Sequence, residues 1–342
     1  MTKIEENLQS NQPTVTADDV AEAAGVSRWT VNRAFKKDAS ISRKTREKVI
    51  DAANALGYVP DLLASSLASD RSNLVALLVD DFANPHKLVM LERLTRVLRK
   101  SGWDSLLVNT LDPDDASAAL LTASQRRVDA AVLIGSGFDD KALETALGAR
   151  RVKKLVVFAR ISENPNTVSI CCDDRSAMSE IAHHVIGKGY QRPLFVAGPQ
   201  LQSAHLMRKE TFLSVWETVK GVRPGFISPN SYDPELAYNC VTQHFKSLSA
   251  SERPDILVCE NDAIAIGAYD ALRHEFGMQI PEEIAITGFD DVPQAASPHY
   301  NITTYRQPIT AMAEGLVSFL KGEEEVSNLS KFLGKLTIRR SA

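Results

Sequence analysis

Arg28, Trp29, Asn32 and Arg33 are side chains that can hydrogen-bond to, or stack on, a nucleobase, and they fall on the outward side of one short helical period. Ser27 stands immediately before them as an N-cap, while Val31, Ala34 and Phe35 take the inward positions. Long polar side chains at the start of such a helix can reach base edges in a major groove. The surroundings carry the matching charge. Between Arg28 and Lys48 lie eight basic residues and two acids, Asp38 and Glu47, a local charge of +6 in a chain of net charge −4. A basic block on an otherwise acidic chain is the electrostatic footprint of a DNA-contacting module. Lys36, Lys37, Arg43, Lys44 and Arg46 are placed to neutralise phosphates.

Other chemistries find little support. Cys171, Cys172, Cys240 and Cys259 include no Cys-x-x-Cys, so buried free thiols are expected rather than a metal site or a disulfide. His183-His184 lacks a third ligand at metal spacing. Gly-x-Gly-x-x-Gly, Gly-x-Ser-x-Gly and His-Glu-x-x-His are all missing from the chain, and Gly135-Ser136-Gly137 is too short to cradle a nucleotide. No cofactor, metal or catalytic residue is expected.

The elements that must position the basic face come first. Thr16 with Asp19 reads as a capping box, opening a helix that buries Val20, Ala21 and Ala24. Gly25 breaks it, and Ser27 opens a second helix, Arg28–Lys36. Ser42 caps a third, striped with Val49, Ala52, Ala53 and Leu56 and closed by Gly57. Two short helices joined through Ala24-Gly25-Val26 and braced by a third make a helix-turn-helix, although a small bundle without a DNA role has the same outline. Met1–Gln12 reads as a polar, disordered lead-in without the basic-then-apolar order of a signal peptide, and no window approaches a membrane span, so a cytoplasmic protein is expected. Asp61 follows Pro60 and can cap a short hinge helix, Leu62 to Ala68.

From Leu74 onward short apolar runs alternate with amphipathic stretches, the pattern of parallel sheets buried on both faces. The strand candidates are Leu74–Val79, Ser105–Val108, Ala130–Ile134, Lys154–Phe158, Val168–Cys171, Leu194–Val196, Ile256–Val258 and Ile284–Thr287. So many strands exceed one sheet of usual size, which predicts two lobes. Ligands in such folds sit beyond the carboxyl ends of strands. The loops to watch therefore begin at Asp80, Asn109, Gly135, Arg160, Asp173, Gly198, Glu260 and Gly288.

The run Val15-Thr16-Ala17-Asp18-Asp19-Val20-Ala21-Glu22-Ala23-Ala24-Gly25-Val26-Ser27, then Thr30-Val31-Asn32-Arg33 and the stretch Ser42 to Pro60, resembles the headpiece of the lactose/galactose repressor (LacI/GalR) family. Glu260-Asn261-Asp262-Ala263, Ile286-Thr287-Gly288-Phe289-Asp290-Asp291-Val292-Pro293 and Ile302-Thr303-Thr304-Tyr305-Arg306-Gln307 are similar to the sensor half of that family. The resemblance implies a helix-turn-helix headpiece followed by a two-lobed α/β sensor of parallel sheets, like the periplasmic sugar-binding proteins. It divides the chain into a lead-in (1–12), headpiece (13–59), hinge (60–71) and sensor (72–342). The sensor's first lobe is expected over about 72–170 and 302–324, its second over about 171–301 and 325–342.

By the same resemblance, Arg28, Trp29 and Arg33 read bases, while Thr30 and Asn32 meet phosphates. Ala64 and Leu67 occupy the hinge, with Leu67 where a leucine wedges into the minor groove. Arg208, Asn261 and Asp290 clasp effector hydroxyls, Phe82 and Tyr232 give an apolar face, and Arg160 and Asp173 line the opposing loops. Trp29, Asn32, Asp61, Leu62 and Thr211 depart from the usual pattern. His86, Arg160 and Arg208 together would also suit a sugar acid or phosphate. The residues alone leave other roles open: Asn261 can cap a helix, Asp290 a turn, and Arg208 can form a surface ion pair. The function implied is a transcription regulator, a repressor, that binds a pseudo-palindromic DNA operator as a homodimer under a small-molecule effector, with a carbohydrate expected. A small-molecule-binding protein or carbohydrate-active enzyme is the competing class.

Overall fold

The structure, a computed structural model, describes residues 14–36, 39–60, 71–110, 115–135, 138, 144, 148, 152–199, 204–323 and 329–342. The chain divides into two compact units, Met1–Ser72 and Asn73–Ala342.

In the first unit three helices, Ala17–Ala23, Arg28–Ala34 and Arg43–Leu56, enclose a small core of Val20, Ala21, Ala24, Val31, Ala34, Val49 and Ala53. The capping box is complete: the Thr16 N–H donates to Asp19 Oδ2 at 2.7 Å and the Asp19 N–H to Thr16 Oγ1 at 3.4 Å. Hydrogen bonds from the Thr16 N–H and hydroxyl to the Asp19 carboxyl lower its pKa. Gly25 turns the corner at φ +59°, a left-handed conformation that costs glycine little. Ser27 and Ser42 cap the two following helices, and Gly57 ends the third at φ +70°. The second helix stops at Ala34, two residues before the expected Lys36, with Phe35 as its C-cap. Leu56, expected in the stripe, is exposed.

The second unit holds two parallel sheets. The first runs in the order Leu329–Phe332, Val168–Cys172, Lys154–Phe158, Ala130–Ile134, Leu74–Val79, Asp104–Asn109. The second runs Ala285–Thr287, Ile256–Cys259, Pro193–Val196, Gly225–Ile227. Central strands such as Leu74–Val79 and Ala130–Ile134 are buried almost throughout, as continuous apolar runs require when helices cover both faces. In the first lobe the helices His86–Lys100 and Ile309–Lys321 pack Met90, Leu94, Leu98, Met312 and Leu316 on one face of the sheet. In the second lobe Phe195, Phe212, Trp216, Phe289 and Tyr305 fill one side, and Val241, Phe245, Ile264 and Leu272 the other.

The lobe boundaries run differently from expectation near the end of the chain. Ile302–Arg306, expected in the first lobe, stays with the second: Gly288 N–H donates to the Thr303 carbonyl and Asp290 N–H to the Tyr305 carbonyl, both at 2.9 Å. The transfer falls at Gln307, after which Ile309–Lys321 enters the first core. Leu329–Phe332, expected in the second lobe, instead extends the first sheet, in parallel register with Ser169–Cys172. That pairing makes Leu329–Phe332 the edge strand of the first sheet. Lys335–Thr337 then returns to pair antiparallel with Thr304–Arg306.

Burial pushes the Cys171 thiol up to about 12 and raises those of Cys172, Cys240 and Cys259; all four cysteines are free. Among the described residues no helix is long and apolar enough to cross a membrane.

Candidate functional site

The first unit presents one polar face. Arg28, Trp29 and Asn32 are exposed on the helix that buries Val31 and Ala34. Trp29 is 65% exposed, a large apolar surface to leave in water. The guanidinium carbon of Arg33 lies 4.2 Å from the Trp29 ring centroid, a cation–π contact, and its Nη2 donates to the Ser40 carbonyl. Arg28 Nη1 meets Asp18 Oδ2 at 3.1 Å, and Thr30 Oγ1 lies 2.9 Å from the Ser27 hydroxyl.

Arg46, placed by the sequence among the phosphate-neutralising residues, is bonded within the headpiece. Its Nη1 donates to the carbonyls of Ala34 (2.8 Å) and Lys36 (3.0 Å), and its Nη2 to that of Ala39 (3.1 Å). These are orphan acceptors at the end of a two-turn helix and in the turn beyond it, and a cation is favoured there. Arg46 therefore staples the exit of the second helix to the third. Lys37 and the hinge residues Asp61, Leu62, Ala64 and Leu67 lie outside the described residues.

The second unit holds a cleft at the carboxyl ends of its strands. Arg160, Arg208, Tyr232, Asn261 and Asp290 line it, with Asn84, His86, Lys87 and Gln307 added. Arg160 follows the strand Lys154–Phe158, and Asn261 and Asp290 follow Ile256–Cys259 and Ala285–Thr287. Two expected residues stand apart. Phe82 is 38% exposed and does not line the cleft. Asp173 caps the helix Asp174–Gly187, accepting from the Ser176 N–H and hydroxyl at 3.4 and 2.9 Å. The carboxylate that reaches Arg208 is its neighbour, Asp174.

Arg208 is buried and paired through Nε and Nη1. Its Nε donates to Asp174 Oδ1 at 3.1 Å, Nη1 donates to the Glu260 carbonyl at 3.0 Å and lies 3.7 Å from Asp290 Oδ1, and Phe289 stacks at 3.6 Å. Burial opposes its charge, but Asp174 and Asp290 outweigh that and hold the guanidinium above its ordinary range. Asp290 sits at φ +118°, outside the usual range for an L side chain, a strain that clusters at functional sites. Gln307 Nε2 donates to Asp290 Oδ1 at 2.7 Å and lies 3.3 Å from His86 Nε2. A carboxylate only accepts, so the amide NH2 of Gln307 must face it. Burial first, and then Arg208 and Lys87, push the His86 pKa down against the pull of Asp290, which favours the neutral imidazole. His86 Nδ1 and Gln307 Oε1 are buried without hydrogen-bond partners among the described residues.

Behind this group stands Asp262. It accepts from the Val292 N–H at 2.8 Å and the Thr304 hydroxyl at 2.7 Å, and burial raises its pKa well above the carboxylate range. A Cβ at Gly288 would lie 2.1 Å from Asp262 Oδ1, so only glycine fits there. Tyr232 donates to Glu260 Oε1 at 2.6 Å, and burial beside that carboxylate raises its phenol pKa. Asn261 caps the helix Asp262–Phe276 through Oδ1, 2.9 Å from the Ile264 N–H, the structural role its sequence position allows, while also lining the cleft. Asp174, Lys87 and Asn84 are absent from the sequence expectations; for Asp174 the only signal is its place beside Asp173, one residue out of register.

Comparison with known proteins decides the lineage. Residues 16–61 match "Bacterial regulatory proteins, lacI family", and residues 72–309 match "Periplasmic binding proteins and sugar binding domain of LacI family". The chain belongs to the LacI family. This LacI-family protein is thus a DNA-binding transcription regulator controlled by a small-molecule effector, not an enzyme, and it has the helix-turn-helix and two-lobed α/β sensor of that family. It is 29% identical over 282 residues to the sucrose operon repressor of Escherichia coli, covering 80% of this chain and 83% of that one. It is 25% identical over 338 residues to the HTH-type transcriptional repressor PurR of Haemophilus influenzae (strain PittEE), covering 95% and 98%. The Lac repressor dimer bound to operator and the anti-inducer ONPF shares its fold, with TM-score 0.81 at 22% identity over 96% of this chain and 99% of that one. A CelR–cellobiose complex does so at TM-score 0.68 and 23% identity, over 96% and 100%.

Proposed function

We propose that this regulator is a cytoplasmic repressor that binds a pseudo-palindromic operator as a homodimer and answers to a sugar or sugar derivative held in the cleft. The observation that carries the effector site is the convergence of Arg208, Asn261, Asp290, His86 and Gln307 on one cavity, with His86 Nδ1 and Gln307 Oε1 buried and unpartnered among the described residues. Buried polar atoms without partners are costly, and ligand hydroxyls, which both donate and accept, would satisfy them. A relative named as a sucrose operon repressor supports a sugar.

In this reading Arg28, Trp29 and Arg33 read bases, Thr30 and Asn32 meet phosphates, and the hinge at 60–71, with Ala64 and Leu67, joins the headpiece at 13–59 to the sensor at 72–342. Arg160, Arg208, Tyr232, Asn261 and Asp290 contact the effector. Gln307 lies where the chain passes between lobes and bridges His86 of the first lobe to Asp290 of the second. A ligand that rearranges this bridge favours one lobe angle over another, and differential affinity for the two angles is what couples ligand to DNA. The test is fluorescence anisotropy of a labelled fragment from upstream of the chain's own gene, titrated with the full-length protein and then with a panel of mono- and disaccharides. Binding in the nanomolar range, reversed or strengthened by one panel member, is expected; binding that no small molecule alters would contradict the sensor assignment.

A further inference from the structure

A guanidinium removed from water needs a carboxylate or a set of acceptors, because an unpaired buried charge is strongly unfavourable. Two of the three cations on the cleft wall meet that need. Arg208 has Asp174, Asp290 and the Glu260 carbonyl, and Lys87 Nζ has Asp80 Oδ1 at 3.2 Å and the Ile134 carbonyl at 3.0 Å. Arg160 does not. It is 8% exposed, and among the described residues its one hydrogen bond runs from Nη2 to the Tyr232 hydroxyl at a long 3.4 Å. That hydroxyl is neutral, and its own proton goes to Glu260 Oε1. The Arg160 guanidinium carbon lies 5.7 Å from the Tyr232 centroid, near the outer limit of a cation–π contact. Among the described residues Arg160 forms no ion pair with a carboxylate; Asp81 feels its charge, and burial raises the Asp81 pKa.

The rest of the wall agrees. Its charged side chains, among the described residues, are Lys87, Arg160, Arg208 and a single carboxylate, Asp290, which already accepts from Gln307 and faces Arg208. With Lys87 and Arg208 matched by carboxylates, Arg160 is the cation of the wall that forms no ion pair among the described residues, and a guanidinium fork matches the two oxygens of an oxyacid. We propose that Arg160 seats an anionic oxyacid group, so that the effector is a polyhydroxylated small molecule bearing a carboxylate or phosphate rather than a neutral sugar. The proposal rests on the reading of this cleft as the effector site.

The experiment is calorimetric titration of the full-length chain with D-gluconate, D-glucuronate, D-glucose 6-phosphate and D-glucose, repeated with Arg160→Met and Arg160→Lys. At least one anion is expected to bind tenfold or more tighter than D-glucose, to lose tenfold or more in Arg160→Met, and to keep part of its affinity in Arg160→Lys. The two carboxylates against the phosphate ester tell which group the fork holds. Thermal melting without ligand gives a second readout: Arg160→Met, which removes an unpaired buried charge, melts at or above the wild-type temperature. D-glucose binding as tightly as the anions, or anions undiminished by Arg160→Met, would overturn the anionic group while leaving the cleft as effector site. A loss of several degrees in Arg160→Met would show a structural prop and overturn it too. Failure of all four probes to bind would remove both readings.

Discussion

Arg208 and Asp174 are each the first residue of their helix, and their 3.1 Å ion pair ties the starts of the two helices together inside the second lobe. Asp174 is favoured at a helix N-terminus, where a cation such as Arg208 is not, so the pair balances what each helix start would impose alone. The same guanidinium braces the Glu260 carbonyl and stacks on Phe289, next to Asp290. Arg208 thus holds the cleft floor as well as forming part of it.

Replacing Asp174 by Asn strands that guanidinium with less than its full compensation. Breaking a buried pair costs about 3–5 kcal/mol, and urea unfolding of the second unit should shift accordingly, with the Asn amide recovering part of it. A shift below about 1 kcal/mol, the range of exposed pairs, would contradict the role given to the pair.

His86 makes stability depend on pH. Its native pKa lies below the ordinary value of about 6.5, so below that pH the unfolded chain takes up a proton that the native chain refuses. The contribution is therefore complete above about pH 6.5 and is lost as pH falls toward the native value. Facing it are Asp290, Arg208, Lys87 and Gln307. Stabilities of wild type and His86→Gln, compared from pH 7.5 to 5.5, should converge or cross as pH falls, by about 1.4 kcal/mol per pH unit at most. A constant difference would contradict a neutral buried His86.

Arg46→Ala removes three hydrogen bonds to carbonyls at the helix exit. Headpiece stability should fall by about 2 kcal/mol, hydrogen bonds from charged groups being worth about 1.5–3 kcal/mol each before solvent recovers part. The salt dependence of DNA binding should be unchanged, because no phosphate contact is lost; a shallower slope would return Arg46 to the phosphates.

Arg33→Ala should weaken operator binding by roughly ten- to a hundredfold, the 1–3 kcal/mol of one base contact, and relax the preference at one base pair. Trp29 loses its stacked cation in that variant, so Trp29→Ala and the double variant should be non-additive. Unaltered mobility shifts for Arg33→Ala would contradict the groove geometry.

Much of the fold is legible in the residues themselves. Leu74–Val79, Ala130–Ile134 and Lys154–Phe158 coincide with the predicted strands because fully buried strands are uninterrupted apolar runs bounded by polar loops. The caps at Thr16, Ser27 and Ser42 carry a local chemistry that needs no tertiary context. Leu329–Phe332 has no such local mark of its lobe, since its sheet is decided by a strand more than 100 residues away, and Thr304–Arg306 is held in the second lobe by hydrogen bonds from Gly288 and Asp290. In the site, Arg208, Asn261 and Asp290 come together as expected from the family pattern. Asp173 and Asp174 illustrate the limit: a strand end and a helix start one residue apart decide which carboxylate turns inward. The engagement of Arg208, and the lack of a carboxylate for Arg160 among the described residues, depend on contacts across loops that no local pattern encodes.

The central claim is that occupancy of the cleft controls the grip on DNA, and Asp290 tests it most directly. Operator-bound protein should be followed by anisotropy while effector is added, for wild type and Asp290→Ala, with ligand-induced thermal shift measured on the same samples. The account predicts a ligand-dependent change in DNA affinity for the wild type, with the response and the thermal shift both lost in Asp290→Ala. A variant that keeps the thermal shift and still releases or tightens on DNA as the wild type does would contradict it.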